Sequence, residues 1–445
     1  MKLNWILVIA AIGVLCRFLW LGDASLLGDE ASLLRLAWDS NQSGIWPDHG
    51  LLGSRGAVYG PMAIWIYKAF LHVSQDLTVL TLLKVLVDTS MLGLGMSLIY
   101  RSGVRFPGVW WLLPVLSPYF WFYSRQLWDN NFQIGFSIIA WGAALCFLRE
   151  KNFGFLFLTV LALASSLNTH LMSASLVAGV ALCLVWESWR FLIKNPLKAA
   201  LCVLPIALLI PYFQFLRVNP PPPNETTLAL SAVDGFTMGA KVLGSFLFGE
   251  YFLELHRTLP TWLAVPAMPS WVFSVLLIGC SWLGLKRFHG KNRSSYRTMV
   301  LFVFYSQVAL SFYKDINYHP HYFAAVWPVF WFALGEGLPQ TRWLRWLPVS
   351  LLVALLNFQI LVHFNQGMNS GHYGPSISEW TRVYQQAPGR VCSDAFSGLR
   401  WRAAMGDVFL LLERIDPQAS MKQECRGKLV LRGDRESSAA LDWRL

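Results

Sequence analysis

The sequence predicts an all-α polytopic membrane protein with about eleven transmembrane helices and a small soluble α/β appendage at its C-terminus. Three observations carry this reading. The 445 residues are 55% hydrophobic and only 14% charged, where an ordinary soluble domain is about 25% charged. The apolar residues fall in long runs broken by short polar segments. The 22 Trp and 30 Phe suit a protein whose aromatic side chains gather at the two bilayer interfaces and between packed helices. A net charge of +11 does not mark a nucleic-acid binder, because Lys and Arg stand in short clusters between apolar runs rather than along one basic face.

Runs long enough to span a bilayer lie at 4–21, 78–100, 108–122, 132–148, 153–169, 171–189, 199–216, 271–286, 298–313, 322–338 and 346–363. The first follows Lys2 and has no small-x-small cleavage site behind it, so it reads as an uncleaved anchor rather than a signal peptide. Arg101 and Arg105, Arg149 and Lys151, Arg190 with Lys194 and Lys198, the run "KRFHGKNRSSYR" (286–297), and Arg342 with Arg345 fall in alternate loops. The excess of basic residues assigns those loops to the cytoplasm, with the N-terminus cytoplasmic and the C-terminus outside.

One apolar stretch does not fit that parity as a span. "YGPMAIWIYKAFLHV" (59–73) therefore reads as a helix lying in the outer interface, with Tyr59, Trp65, Tyr67 and Lys68 at the water boundary. The outer segments become 22–77, 123–131, 217–270, 314–321 and the tail from 364. Residues 1–363 form the transmembrane unit; 364–445, polar and of both charge signs, form a small outer domain. Cys16, Cys146, Cys183, Cys202 and Cys280 fall inside spans. Cys392 and Cys425 fall in the tail, where an oxidising compartment would permit a disulfide and two separate thiols are the alternative. No internal repeat is visible, which counts against an inverted-repeat transporter. "NPPPPNETT" (219–227) is a stiff opening to the large outer loop, and Tyr373 in "GHYGPS" (371–376) belongs to a turn-prone stretch.

The chemistry concentrates in a few polar positions. "SLLGDEASLLRLAW" (25–38) places Asp29 and Glu30 just outside the first span. Asp29 reads as the N-cap of a helix, and a capped carboxylate is also a positioned one, as base catalysis requires. "YSRQLWDNNFQIGF" (123–136) sets Arg125 and Asp129 four apart on the same side of the membrane, as a local ion pair or as a second piece of a site. Lys84 and Asp88 share one predicted span. A charge at mid-bilayer costs roughly 2.5–3.5 kcal/mol, so they either neutralise each other or Lys84 faces a phosphate. In "YKDINYHPHYF" (313–323), His321 and Tyr322 are candidates for a phosphate contact. Asp315, His319 and His321 match no metal-ligand spacing of established type.

An early "DE" in the first outer loop, the proline-containing "YGPMAIWIY", and the Arg-x3-Asp of "SRQLWDNN" together resemble the GT-C fold glycosyltransferases. Within them the chain is similar to the protein O-mannosyltransferase and lipid A aminoarabinose transferase group. The motifs cover about residues 1–190, and the hydropathy pattern follows through 363. The resemblance implies a membrane enzyme that takes a sugar from a polyprenyl-phosphate donor on the outer face, with Asp29 as the acid-base residue. The chain departs from the group at three places. Gly60 precedes Pro61 where two prolines are common, Lys84 stands where Arg is usual, and His170 in "LNTHLMSA" stands where Lys is frequent. Lys and His are point donors where Arg is bidentate.

The expected reaction is an inverting transfer with Asp29 as base. Glu30 and Asp129 orient the acceptor, or Asp29 and Asp129 hold a divalent ion. Lys84, Arg125, His170, His321 and Tyr322 supply contacts to the donor phosphate, and Tyr59 and Pro61 wall the acceptor or lipid slot. Partners are the lipid-linked sugar, an envelope acceptor (lipid A, polysaccharide or protein) and the bilayer. No Gly-rich phosphate loop for a soluble nucleotide sugar is present. A lipid-linked-sugar flippase or solute transporter, and a non-catalytic envelope-assembly subunit, are the alternatives. Short loops and the absence of large soluble modules point to a bacterial inner membrane, with the site facing the periplasm.

Overall fold

The computed structural model describes residues 4–26, 29–53, 58–104, 110–220 and 376–386, strands at 430–432 and 442–444, and single positions between 324 and 412. The described chain is mainly helical. Helix α1 (Asn4–Leu15) is followed by α2 (Asp29–Ser43), α3 (Met62–Val73), α4 (Leu77–Arg101), α5 (Leu113–Leu116), α6 (Pro118–Arg125), α7 (Phe132–Glu150), α8 (Phe153–Thr169), α9 (Ala174–Lys194), α10 (Pro196–Cys202), α11 (Ile210–Val218) and α12 (Ile377–Gln386). Among the described residues, four helical stretches are long and apolar enough to cross a membrane: Leu77–Arg101, Asp129–Glu150, Leu171–Lys194 and Pro196–Val218. The runs expected beyond 220 lie almost wholly outside the described residues, as do Cys280, Cys392, Cys425 and Tyr373. Cys16, Cys146, Cys183 and Cys202 are buried free thiols.

Proline decides where the expected spans break. The run at 108–122 divides at Ser117, which is extended (φ −62°, ψ 120°) and caps α6 by accepting the Phe120 N–H. A residue before proline is pushed out of the helical region, and serine is a favoured cap. The run at 199–216 divides into α10, a 3-10 turn at Leu204–Leu209 and α11, with Pro205 and Pro211 in the first turns of the later pieces. The first span ends as a helix at Leu15, and the chain turns through Trp20 in the left-handed region (φ 49°).

Helix α7 is the hub. Its side chains are buried nearly throughout, and it runs parallel to α4, as paired positions along both helices show. A Cβ on Gly95 would fall 2.6 Å from Ile138 Cγ2, and one on Gly142 would fall 2.9 Å from the Gly95 carbonyl oxygen. Further along, Arg149 donates to the Arg101 carbonyl at 2.6 Å, and Arg101 pairs with Glu150 at 3.0 Å. Small residues let apolar helices approach this closely where lipid offers no hydrophobic drive between them. Lys151 donates to Ser188 of α9, so Arg101, Arg149 and Lys151 gather at one end of the bundle. Asp129 begins the other end of the 22-residue stretch Asp129–Glu150, whose rise of about 33 Å matches a bilayer core of about 30 Å.

At that far end a second apolar cluster joins α2 and α3 to Leu77, Leu80, Phe132 and the C-terminal segment. Helix α3, at 12 residues, rises about 18 Å and is too short to span. Its setting differs from the expected water boundary: Tyr67 is fully buried and Lys68 only 6% exposed. The reason is polar satisfaction. Lys68 Nζ donates to the Ser40 carbonyl and hydroxyl at 2.7 and 2.9 Å and to the Ile45 carbonyl at 3.4 Å, closing the C-terminal end of α2. In the tail, Ile377, Trp380, Val408, Leu411 and Leu412 pack into this same cluster. Val430–Arg432 pairs antiparallel with Asp442–Arg444.

The close α4–α7 contact yields a paired test. Gly142→Ala places a methyl against backbone and should lower the thermal midpoint of the detergent-purified protein by the equivalent of about 1–3 kcal/mol. Gly93→Ala, on the same pair of helices but facing open space, should leave it unchanged or raise it by about 0.5–1 kcal/mol.

Candidate functional site

Asp29 lies in the first turn of α2 (Asp29–Ser43). Its negative charge, with that of Glu30, sits in the first turn, where the helix dipole favours it. The two acids separate by exposure. Asp29 is exposed and its Oδ2 accepts the Trp128 indole N–H at 3.2 Å, whereas Glu30 is 4% exposed.

Asp129 opens the 3-10 turn that leads into α7 and is 2% exposed. Its Oδ1 accepts the Asn130 N–H at 2.7 Å, and it lies within electrostatic range of Asp29. Tyr67, which the sequence pattern assigned to the interface, lies within range of Glu30, Asp88 and Asp129 at once. The structure therefore brings Asp29, Glu30 and Asp129 together and adds Tyr67 to them. Among the described residues no group of three His, Cys, Asp or Glu side chains is disposed to hold a metal ion.

Arg125 does not close the expected pair with Asp129. Its Nη2 donates to the Trp20 carbonyl, its guanidinium lies 4.4 Å over the Trp121 ring, and Asp23 is its electrostatic partner. The helix turn explains this: α6 ends at Arg125 and the chain is extended at Gln126, so the four-residue spacing is not helical. Burial lowers the guanidinium to about 10, opposed by Asp23, and Arg125 stays cationic at neutral pH. Its Nε and Nη1 have no hydrogen-bond partner among the described residues.

Lys84 and Asp88 form a direct ion pair, both fully buried. Lys84 Nζ also lies 4.2 Å over the Phe132 ring. The mutual pair that the sequence spacing allowed is formed. A residue the sequence reading passed over shares the pair: Arg17, fully buried, donates to the Pro114 and Val115 carbonyls at 3.0 and 3.2 Å, stacks 4.0 Å over Phe120 and faces Asp88 electrostatically. A charged residue four positions before the end of the apolar run 4–21 was the available signal.

The other candidates meet at the start of α3. Gly50 and Leu51 pair with Tyr59 through backbone bonds of 2.7 and 2.9 Å, and Tyr212 donates to the Val58 carbonyl at 2.7 Å. This holds the Tyr59 ring 3.9 Å from the His170 ring. Gly60 follows because nothing larger fits: its Cβ would stand 2.1 Å from the Asn168 carbonyl oxygen, which excludes a second proline before the buried Pro61. Burial lowers His170 to about 3, so the ring is neutral. Its Nδ1 accepts the Met172 N–H at 3.2 Å, which leaves the proton on Nε2 as a donor. His321, Tyr322, Asp315 and His319 lie outside the described residues.

With this geometry in place, comparison with solved structures is informative. The crystal structure of ArnT from Cupriavidus metallidurans bound to undecaprenyl phosphate superposes with a TM-score of 0.54 and 16% identity, covering 86% of this chain and 69% of that one. The apo structure of the same protein gives 0.52 and 13%, covering 93% and 78%. The chain has the ArnT fold. No protein-family model and no curated protein matches the sequence. The resemblance to the lipid A aminoarabinose transferase group, read from the N-terminal motifs, is thus borne out in the fold, and at 16% identity the ArnT likeness speaks to fold alone.

The neutral His170 has a signature in stability. Its folded value of about 3 lies below the ordinary value near 6.5, so between the two the unfolded chain binds the proton and the folded chain does not. The contribution is intact above the unfolded value and falls as pH drops toward the folded one. The thermal midpoint of His170→Asn should therefore decline less steeply than that of the wild type as pH is lowered from 7 to 4.5, read by differential scanning fluorimetry.

Proposed function

We propose that this chain is a membrane glycosyltransferase that moves a sugar from a polyprenyl-phosphate donor to a hydroxyl of an envelope acceptor, on the outer face of a bacterial inner membrane. The observation that carries the reading is Asp29: in an ArnT-like fold, it is the exposed acid of the three that meet at this end, and the Trp128 N–H holds it.

Asp29 takes the proton from the acceptor hydroxyl. That oxygen attacks the anomeric carbon, the carbon–oxygen bond to the phosphate breaks, and the polyprenyl phosphate leaves with the electron pair and with inversion at the sugar. Arg125, cationic and with guanidinium N–H groups unspent among the described residues, meets the charge that develops on the leaving phosphate. The His170 Nε2–H adds a neutral donor. Buried Glu30 and Asp129 orient the acceptor side, and Tyr59 and Pro61 wall the slot beside His170. Lys84 acts from within, through Asp88, on the placement of α4.

The outer-face assignment draws on charge sidedness, since Arg101, Arg149 and Lys151 gather at the end of the bundle away from Asp129. ArnT bound to undecaprenyl phosphate supports the lipid-phosphate class of donor.

The test is transfer of labelled sugar from polyprenyl-phosphate donors in membranes with matched protein levels. Asp29→Asn should lower the rate by about 10²–10⁴-fold, the usual worth of a general base, and Trp128→Phe by less. Equal rates for wild type and Asp29→Asn would remove Asp29 from the chemistry. No transfer by the wild type with any donor, together with solute uptake, would make the chain a transporter.

A further inference from the structure

The segment Ala24–Leu26, just ahead of Asp29 in the chain, is held by residues about Trp380, 354 positions beyond Leu26. Ser25 and Ser376 form an antiparallel bridge, the Ile377 N–H donates to the Ala24 carbonyl at 2.8 Å, and the Trp380 indole N–H donates to the Leu26 carbonyl at 2.7 Å. Leu26 and Trp380 are both fully buried, so the Leu26 carbonyl has no water to turn to and requires a protein donor. From the opposite side, the Gln126 amide donates to Ser25 Oγ at 2.8 Å. Two residues on, Trp128 bonds Asp29 itself. The segment before α2 is thus gripped between α12 and the loop that carries Trp128.

We propose that Trp380 is a positioning residue for Asp29. It acts through the Leu26 carbonyl to fix where α2 begins, which makes the C-terminal segment part of the transfer machinery. This rests on Asp29 being the base. A base must stand within hydrogen-bond reach of the proton it removes, and a displacement of about 1 Å costs on the order of 10²-fold in rate. Asp29, exposed at the first residue of a helix, takes its position from whatever fixes that helix start.

Trp380→Phe keeps a buried ring and deletes the N–H. The expected result is a kcat lower by about 10-fold or more, with the KM for the polyprenyl-phosphate donor unchanged. Rescue separates positioning from general support. The Ile377-to-Ala24 bond flanks Ser25 and Ser376 as in a non-hydrogen-bonded antiparallel pair, whose Cα atoms lie about 4.5 Å apart, within disulfide range. Adding Ser25→Cys and Ser376→Cys to the Trp380→Phe chain should restore kcat on oxidation and lose it again on reduction, with neither single-cysteine control responding.

If Trp380→Phe fails to accumulate, Ile377→Pro serves in its place. Proline suits the first helical position and removes the N–H to Ala24. Wild-type kcat in the variant, a loss confined to KM, or a loss that the cross-link does not reverse would overturn the positioning role while leaving the glycosyltransferase reading standing. A wild-type chain that transfers no sugar from any donor would overturn both.

Discussion

An ionised side chain inside an apolar bundle has to be neutralised where it stands, and in this protein that constraint is met by one carboxylate serving two cations. Asp88 on α4 pairs directly with Lys84, one turn earlier, and faces Arg17 from the end of the first helical segment. Both cations are further stabilised over aromatic rings, Lys84 on Phe132 and Arg17 on Phe120. Arg17 also takes up carbonyls at Pro114 and Val115, next to the break at Ser117. Removing one member of such a buried set costs about 3–5 kcal/mol, because it strands the others in low dielectric. The set consequently pins the first helical segment, α4, α5, α6 and the start of α7 to one another.

That pinning extends to the end of the bundle that carries Asp29. Phe132 follows the turn that carries Asp129, so the start of α7 is fixed by the same contacts that bury Lys84. Tyr67 then sets α3 between this interior charge and the acids at that end, while Lys68, the next residue, closes α2. Of the three acids that meet there, two are buried and Asp29 alone is exposed. The division follows from position on α2: Asp29 begins the helix, and Glu30 is the first residue rotated into the apolar cluster with Ala31, Leu33 and Leu34. In the proposed reaction the proton acceptor has to be reachable, a condition that Asp29 meets by its exposure.

Much of this was legible in the sequence because hydropathy and proline act locally. The runs that became α4, α7, α8 and α9 were marked by length alone, and Asp29 by an acidic pair at the edge of an apolar run. Azimuth was less legible. "MAIWIYKAFLHV" is apolar on most of its circumference, so its pattern does not say which side faces protein, and Tyr67 and Lys68 looked like residues for a water boundary. Nor does spacing reveal the path between two residues. Arg125 and Asp129 are four apart, but the chain leaves helical geometry at Gln126 and the pair never forms. The contact between Trp380 and Leu26 was invisible for a different reason: nothing in a local pattern encodes a bond between segments 354 positions apart.

The departures at Gly60 and His170 belong together. Gly60 is set against the Asn168 backbone, and the Tyr59 ring beside it lies tilted against His170. This contact leaves His170 fully buried. A lysine there would have to bring its ammonium into the same enclosure, at a cost in desolvation. Neutral imidazole resolves the conflict, keeping one Nε2–H donor without a charge to compensate. In the proposed reaction, neutralising the donor phosphate then falls to cations elsewhere. Lys84 is paired with Asp88, whereas Arg125, bonded to the Trp20 carbonyl and lying over Trp121, keeps Nε and Nη1 unspent among the described residues.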